Sequence, residues 1–306
     1  MKKCVVIYNP NSGKNNKIDF INKFEQILNE NNYDVKFVCS KYQGNIVEIV
    51  SSLEDNIDLV ISLGGDGTFN ESMRGNFKRK KRLVLAHIPV GTTNDVGKMF
   101  GYGKNIINNL KLLMDGKIVN IDICKIDNEP FVYVAGFGKF MNIPYETSRS
   151  SKKKIGYLAY LLNGAKDLLR FTKMHEISYI IDGKEYSGNY SFMLIANATR
   201  IAGINNVFRD VKLNDHKVEV VFCSLKKRKD IVKTLYYLRK TDISNVPGFS
   251  FYKANNVKIK VNNQNKVNWC IDGEKLEIDK DEVEIKVDSN VQIMIPKINI
   301  NKLFIK

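Results

Sequence analysis

The sequence has 306 residues, with 48 Lys and Arg against 33 Asp and Glu, for a net charge of +15. Its 43% apolar content is that of a globular protein, and no apolar run approaches the roughly 20 residues that cross a bilayer as a helix, which excludes an integral helical membrane protein. Five scattered cysteines without a CxxC pair and three histidines far apart in sequence argue against a disulfide framework and a zinc site, and fit reduced thiols in a cytosolic protein. The opening "MKKCVVIYNPNSG" lacks the long apolar segment of a signal peptide and reads as a strand running into a loop.

Along the first 120 residues, strand-like runs alternate with helical patterns. Strands are predicted over Lys3–Tyr8, Asp34–Cys39, Asp58–Leu63 and Leu83–His87. Between them, Ile18, Ile21, Phe24 and Leu28 recur at helical spacing within Lys17–Asn32. Ile46, Ile49, Val50 and Leu53 do so within Gly44–Leu53, and Ile106, Leu110 and Leu113 mark a helix that closes at Gly116. This rhythm predicts an α/β domain with a parallel sheet, whose ligands bind at the carboxyl ends of the strands. After about Val119 strands cluster, from Val119–Lys125 through Ile177–Ile181 and Val218–Cys223 to Glu282–Val287 and Val291–Ile295. Helices over Lys154–Arg170 and Lys229–Arg239 interrupt them. That half reads as a mostly antiparallel, β-rich domain. The boundary is expected near Asn120, giving domains over 1–120 and 121–306, with the extreme C-terminus packing back on the first.

Three loops carry the chemistry. "DLVISLGGDGTFNESMRG" runs from a buried strand through Gly64, Gly65, Asp66, Gly67 and Thr68 into a helix. Bare backbone at a helix N-terminus suits phosphate, and Thr68 can add a hydroxyl. The carboxylate of Asp66 belongs at a phosphate site only if a cation such as Mg²⁺ lies between them; the alternative is a tight turn with Asp66 as helix N-cap. The loop matches neither the Walker A pattern nor GxGxxG. The first strand ends in "NPNSGK", Asn9–Lys14, and the fourth in "IPVGTTND", Ile88–Asp95. All three loops fall on one edge of one sheet.

At these residues the sequence resembles the diacylglycerol kinase catalytic domain family, in its bacterial soluble diacylglycerol kinase and lipid kinase branch, related to sphingosine and ceramide kinases. The motifs are "NPNSGK", "GGDGTFNE" and "IPVGTTNDVG", followed in family order by "KKKIGYLAYLLNGAKDLLR", "FMLIANATRIAGI", "DVKLNDHKVEV" and "CIDGE". The resemblance implies an ATP- and Mg²⁺-dependent kinase acting on a lipid hydroxyl, diacylglycerol first. It places a nucleotide-binding first domain and a lipid-substrate second domain on either side of a nucleotide cleft. It implies ATP contacts from Asn9, Pro10, Asn11, Ser12, Gly13, Ser40, Gly64, Gly65, Asp66, Gly67, Thr68, Phe69, Asn70, Glu71 and Thr92, with Lys14 meeting a phosphate. Asp66, Asp95 and Asp122 match acidic positions that hold Mg²⁺, partly through water. Lys212, Asp215 and Lys217 match a structural metal loop, through the carboxylate of Asp215 and the carbonyls of the two lysines, although His216 stands where the family has glycine. Glu274 is the implied general base, with Asp272 close by; as plain sequence, "IDGEK" also reads as a β-turn.

Basic clusters at Lys78–Arg82, Lys152–Lys154 and Lys226–Lys229 suit either solubility or an anionic surface. The expected partners are a lipid substrate and, peripherally, the inner face of an anionic membrane. RNA-binding signatures are absent, so nucleic acid is not expected. The bacterial members imply a homodimer, which no feature of the sequence itself demands. Two rival readings are an NAD kinase with a soluble acceptor and a non-catalytic basic protein that binds membranes. The second has no use for carboxylates around a phosphate loop.

Overall fold

Unbroken apolar runs become strands and 3.6-residue patterns become helices in a computed structural model that describes residues 1–9, 17–139, 141, 173–201, 203–205, 207–208, 210–225, 227, 230, 237, 245–262 and 267–305. The chain divides into one unit of Met1–Asp122 with Ser289–Lys306, and a second of Ile123–Asp288. The expected helices over 154–170 and 229–239, and the basic clusters at 152–154 and 226–229, lie outside the described residues save for isolated positions.

In the first unit the order is β1 (Lys2–Tyr8), α1 (Lys17–Glu30), β2 (Tyr33–Cys39), α2 (Asn45–Ser51), β3 (Leu59–Gly64), α3 (Asp66–Phe77), β4 (Leu85–Pro89), α4 (Asp95–Met99), α5 (Ile106–Met114) and the start of β5 (Lys117–Ile126). Strand order is β2-β1-β3-β4, all parallel, with Val6 opposite both Phe37 and Ile61, and Ile61 opposite Ala86. Every residue of β3 and β4 is buried, as a sheet covered on both faces requires. The helices supply Phe24, Leu28, Val50, Met73, Leu110 and Leu113, all fully buried. These include positions that the helical spacing picks out.

The second unit continues with β6 (Glu129–Phe131), β7 (Val134–Gly138), β8 (His175–Ile181), β9 (Lys184–Tyr190), β10 (Phe192–Ala196), β11 (Arg200–Ile201), β12 (Ile204–Asn205), β13 (Val218–Cys223), β14 (Phe249–Ala254), β15 (Asn256–Val261), β16 (Asn268–Ile271), β17 (Glu274–Glu277) and β18 (Glu282–Ile295); α6 (Ile300–Leu303) follows in the first unit. Its pairings are antiparallel: β18–β15–β8–β9 in one sheet and β14-β13-β10-β7-β16-β17 in the other. Their inner faces meet in an aromatic core. Phe222 of β13 stacks on Tyr179 of β8 with centroids 3.9 Å apart, and Phe137 meets Trp269 edge-on at 4.9 Å.

Some strands differ from the sequence reading: β14 and β17 are strands it did not expect, and two further cases are instructive. β9, "KEYSGNY", is too polar to show an apolar run, yet it pairs along its whole length with β8 around the Asp182-Gly183 turn. The two strands expected at Glu282–Val287 and Val291–Ile295 are one strand, β18. Its beginning pairs with β15 (Val257 opposite Ile285), and its end joins the first unit beside β4 in parallel (Ile293 opposite Leu85).

The Lys78–Arg82 cluster is only partly a solvated basic surface. Arg79, with its side chain 3% exposed, donates from Nη1 to the carbonyls of Val50 (3.1 Å) and Leu53 (2.5 Å) at the end of α2, and pairs with Asp55 at 2.5 Å. Arg82 covers the Phe77 ring at 4.1 Å and donates to the Asn290 carbonyl. Lys81 donates to the Asp55 carbonyl. Neutralising the whole cluster would therefore strip a helix end of its donors. Arg79→Ala is expected to cost about 2 kcal/mol or more in denaturant unfolding. Substituting the exposed Lys78 and Lys80 by Gln should leave stability unchanged and report, in vesicle co-sedimentation at low and high salt, whether this face meets an anionic bilayer.

Candidate active site

The β3–α3 loop is built on contacts that forbid side chains. A Cβ on Gly64 would fall 2.2 Å from the Thr68 hydroxyl, so Thr68 packs down on bare backbone and is buried. Gly65 takes the N-cap position of α3 in extended conformation, and its carbonyl accepts from the amides of Thr68 (2.9 Å) and Phe69 (3.3 Å). At Gly67 a methyl would meet nothing within 4 Å, so the first turn of α3 is open to solvent on that side. The β4–α4 loop lies directly against the first. The Val90 amide donates to the Gly64 carbonyl (2.7 Å), and a Cβ on Gly91 would sit 2.6 Å from the Gly65 Cα. Asn94, in the left-handed region at φ +53°, holds Gly91 from both sides: its Oδ1 accepts from the Gly91 amide (2.8 Å) and its Nδ2 donates to the Gly91 carbonyl (2.9 Å). Sequence reasoning missed Asn94. An Asn three residues after a strand-ending Gly and just before a helix was the available signal.

Asp66 explains the carboxylate in the glycine turn. It does not cap its own helix. Its Oδ2 accepts from the Asp95 amide and its Oδ1 from the Val96 amide, both at 3.0 Å, so it caps α4 across the loop. Desolvation, and then the charge of Asp95, push the Asp66 carboxyl up to about 6, against the two amide donors that favour its charged form. Asp95 is itself 2% exposed. Two carboxylates thus share one loop junction. Among the described residues no three His, Cys, Asp or Glu side chains gather as a metal cluster, and Asp122 is buried on β5.

The other expected nucleotide contacts divide. Asn9 follows β1, and the buried Ser40 follows β2, its amide donating to the Tyr8 carbonyl (2.9 Å). Pro10, Asn11, Ser12, Gly13 and Lys14 lie outside the described residues. Thr92 is exposed and Glu71 partly so. Phe69 and Asn70 face inward. Phe69 packs on His87 with centroids 5.1 Å apart, and burial lowers that imidazole to about 4, so it is neutral at physiological pH.

In the second unit, Asp272 and Gly273 form a two-residue hairpin turn between β16 and β17, both left-handed at φ +48° and +87°. The Asp272 carboxylate, 5% exposed, accepts from the amides of Val132 (2.6 Å), Tyr133 (3.0 Å) and Val134 (3.0 Å). Asp182 in the other Asp-Gly turn does the same for the amides of Asn255 and Asn256. Asp272, expected close to the implied base Glu274, uses both of its oxygens to hold the turn. Glu274, partly exposed, opens β17 directly after it. At the expected metal loop His216 adopts φ +59°, the conformation that a glycine would supply, and Asp215 Oδ1 accepts from the Lys217 amide (3.1 Å).

The model of the diacylglycerol kinase catalytic domain matches residues 3–126. A diacylglycerol kinase of Staphylococcus saprophyticus is 30% identical over 218 residues, which is 70% of each chain. The chain belongs to the diacylglycerol kinase family. A second relative, the diacylglycerol kinase of Bacillus subtilis, is 29% identical over 282 residues and 90% of each chain. The crystal structure of a diacylglycerol kinase from Bacillus anthracis shares the fold over 97% of each chain, with a TM-score of 0.76 at 20% identity. As a kinase of this family, the chain has its two glycine loops and its paired carboxylates inside the matched segment.

Proposed function

We propose that this kinase transfers the γ-phosphate of ATP to a lipid hydroxyl, with diacylglycerol as first acceptor and phosphatidic acid as product. The observation that carries the reading is the junction of Gly65 and Gly91, two loops in backbone contact and locked by Asp66 onto the N-terminus of α4. This presents bare, rigid backbone and the open first turn of α3 to a phosphate chain. Asp66 and Asp95 would hold Mg²⁺: two desolvated carboxylates at one loop junction fit a hard divalent cation with oxygen ligands. When bound, that ion would neutralise charge on the transferring group.

Glu274 is the proposed acceptor of the hydroxyl proton. As the acceptor oxygen bonds to the γ-phosphorus, the bond from that phosphorus to the β,γ-bridging oxygen breaks and ADP leaves. No helix among the described residues is long and apolar enough to cross a membrane, so the acceptor would be met at the bilayer surface.

Labelled phosphate transfer from ATP to diacylglycerol, phosphatidylglycerol, sphingosine and ceramide in mixed micelles, with NAD as a soluble control, tests the acceptor. Label in NAD alone would overturn the lipid reading. Gly67→Ala tests the loop. With open space around that position, the melting temperature should hold or rise slightly, since Ala exceeds Gly in helix propensity by about 1 kcal/mol. ATP affinity should fall roughly tenfold as the methyl intrudes on the phosphate approach. Unchanged affinity would move the nucleotide away from α3.

A further inference from the structure

Glu219 on β13 is 2% exposed, although it is a carboxylate. Its neighbours Val218, Val220 and Phe222 face the core of the second unit, so Glu219 occupies the opposite face of the six-stranded sheet, directly across from Lys253 of β14. The segment ahead of β13 covers that face. Phe208 rests on Phe251 with centroids 5.8 Å apart, and Lys253 Nζ donates to the Asp210 carbonyl at 2.5 Å. The same ammonium stays 3.7 Å from Glu219 Oε1, too far for a hydrogen bond. Glu219 Oε2 is buried and has no hydrogen-bond partner among the described residues. The charge of Asp215, in the turn above it, acts on the same carboxylate.

A buried carboxylate oxygen without a donor costs on the order of 1–3 kcal/mol or more, and a second carboxylate nearby adds to that cost. A hard divalent cation with oxygen ligands removes both penalties at once. We infer that Glu219 faces a divalent cation held beneath the loop Asp210–Lys217, and that Lys253 competes with that cation for the same carboxylate. The motif resemblance points only to Lys212, Asp215 and Lys217 at this loop; Glu219 and Lys253 come from the burial, the orphaned oxygen and the cross-strand register. Lys253 is suited to the exchange because its side chain is 34% exposed and keeps the Asp210 carbonyl when it yields the carboxylate. The bound ion would clamp the loop to the outer face of the sheet.

The test uses the full, nucleotide-free chain, with Mn²⁺ binding followed by the paramagnetic resonance of free Mn²⁺, and thermal melts in Mg²⁺ or chelator. The wild type should bind Mn²⁺ at a site that survives Asp66→Asn, and Mg²⁺ should raise its melting temperature. Glu219→Gln should weaken that site by about tenfold or more and abolish the thermal response. Lys253→Met should tighten it, since the competing ammonium is gone. The absence of any Mn²⁺ site beyond the one that Asp66→Asn removes, or wild-type affinity in Glu219→Gln, would overturn the inference. Should Glu219→Gln fail to fold, Lys253→Met still decides: unchanged or weaker Mn²⁺ binding refutes the competition.

Discussion

Asp66→Ala should lower turnover by about three orders of magnitude, the scale of losing one preorganised electrostatic contact to a transferring group. It should also remove the cap of α4, at about 1 kcal/mol, or a few degrees of melting temperature. A substitution that merely unfolded the loop would show the thermal loss with a parallel, not a far larger, loss of turnover. The pH dependence has a definite sign. The folded carboxyl titrates at about 6 against 3.8 for the free group, so the protonated form is favoured in the folded state. The associated stability is fully present below about 4 and lost as pH rises through about 6. If Asp66 holds Mg²⁺ as proposed, the direction for the metal is opposite: protons compete with the ion as pH falls through 6, so the Mg²⁺ concentration at half-maximal rate should climb between about pH 7 and pH 5. A flat profile would refute the metal role proposed for Asp66.

Asp272 and Glu274 should separate cleanly, although they stand two residues apart. Asp272→Ala leaves the amides of Val132, Tyr133 and Val134 without their buried acceptor, at about 3 kcal/mol or more. In a chain of this size that is roughly 6–12 °C of melting temperature. Glu274→Gln touches a partly exposed side chain and should leave the melt unchanged, while turnover falls by about 10²–10⁴ if it takes the proton. Calorimetry beside single-turnover kinetics reads both. Full turnover in Glu274→Gln would place proton transfer elsewhere.

The first unit was legible because its strands are buried on both faces. Leu59–Val60-Ile61 and Leu85–Ala86 leave no doubt about their burial, and the intervening helices show one apolar stripe each. The loops were legible as glycine-rich phosphate candidates. What one sequence does not carry is the partner of a side chain. Asp66 reads as a cap of its own helix or a metal group, yet it spans to the amides of Asp95 and Val96, 29 and 30 positions on. Asp272 reads as a neighbour of the base or as a turn residue, yet its oxygens meet amides about 140 positions earlier. Glu219 raised no signal at all: in "KVEVVFC" it occupies the solvent phase of an alternating strand, and only the covering segment buries it. β9 was missed for the related reason that a polar strand is specified by its partner's register and not by its own hydrophobicity.

One feature of the sheet bears on the order of events during synthesis. The first unit needs Ser289–Lys306, whose strand pairs with β4 through Ile293 and Met294. When Asp122 has left the ribosome, β4 still has an uncovered apolar edge, and the residues that cover it follow only after roughly ten seconds or more of further translation. During that interval the whole second unit is being made, with the parallel edge as a template for unwanted strands. A fragment ending at Asp122 keeps that edge indefinitely and should aggregate. Rejoining it to Ser289–Lys306 through a flexible linker supplies the missing strand.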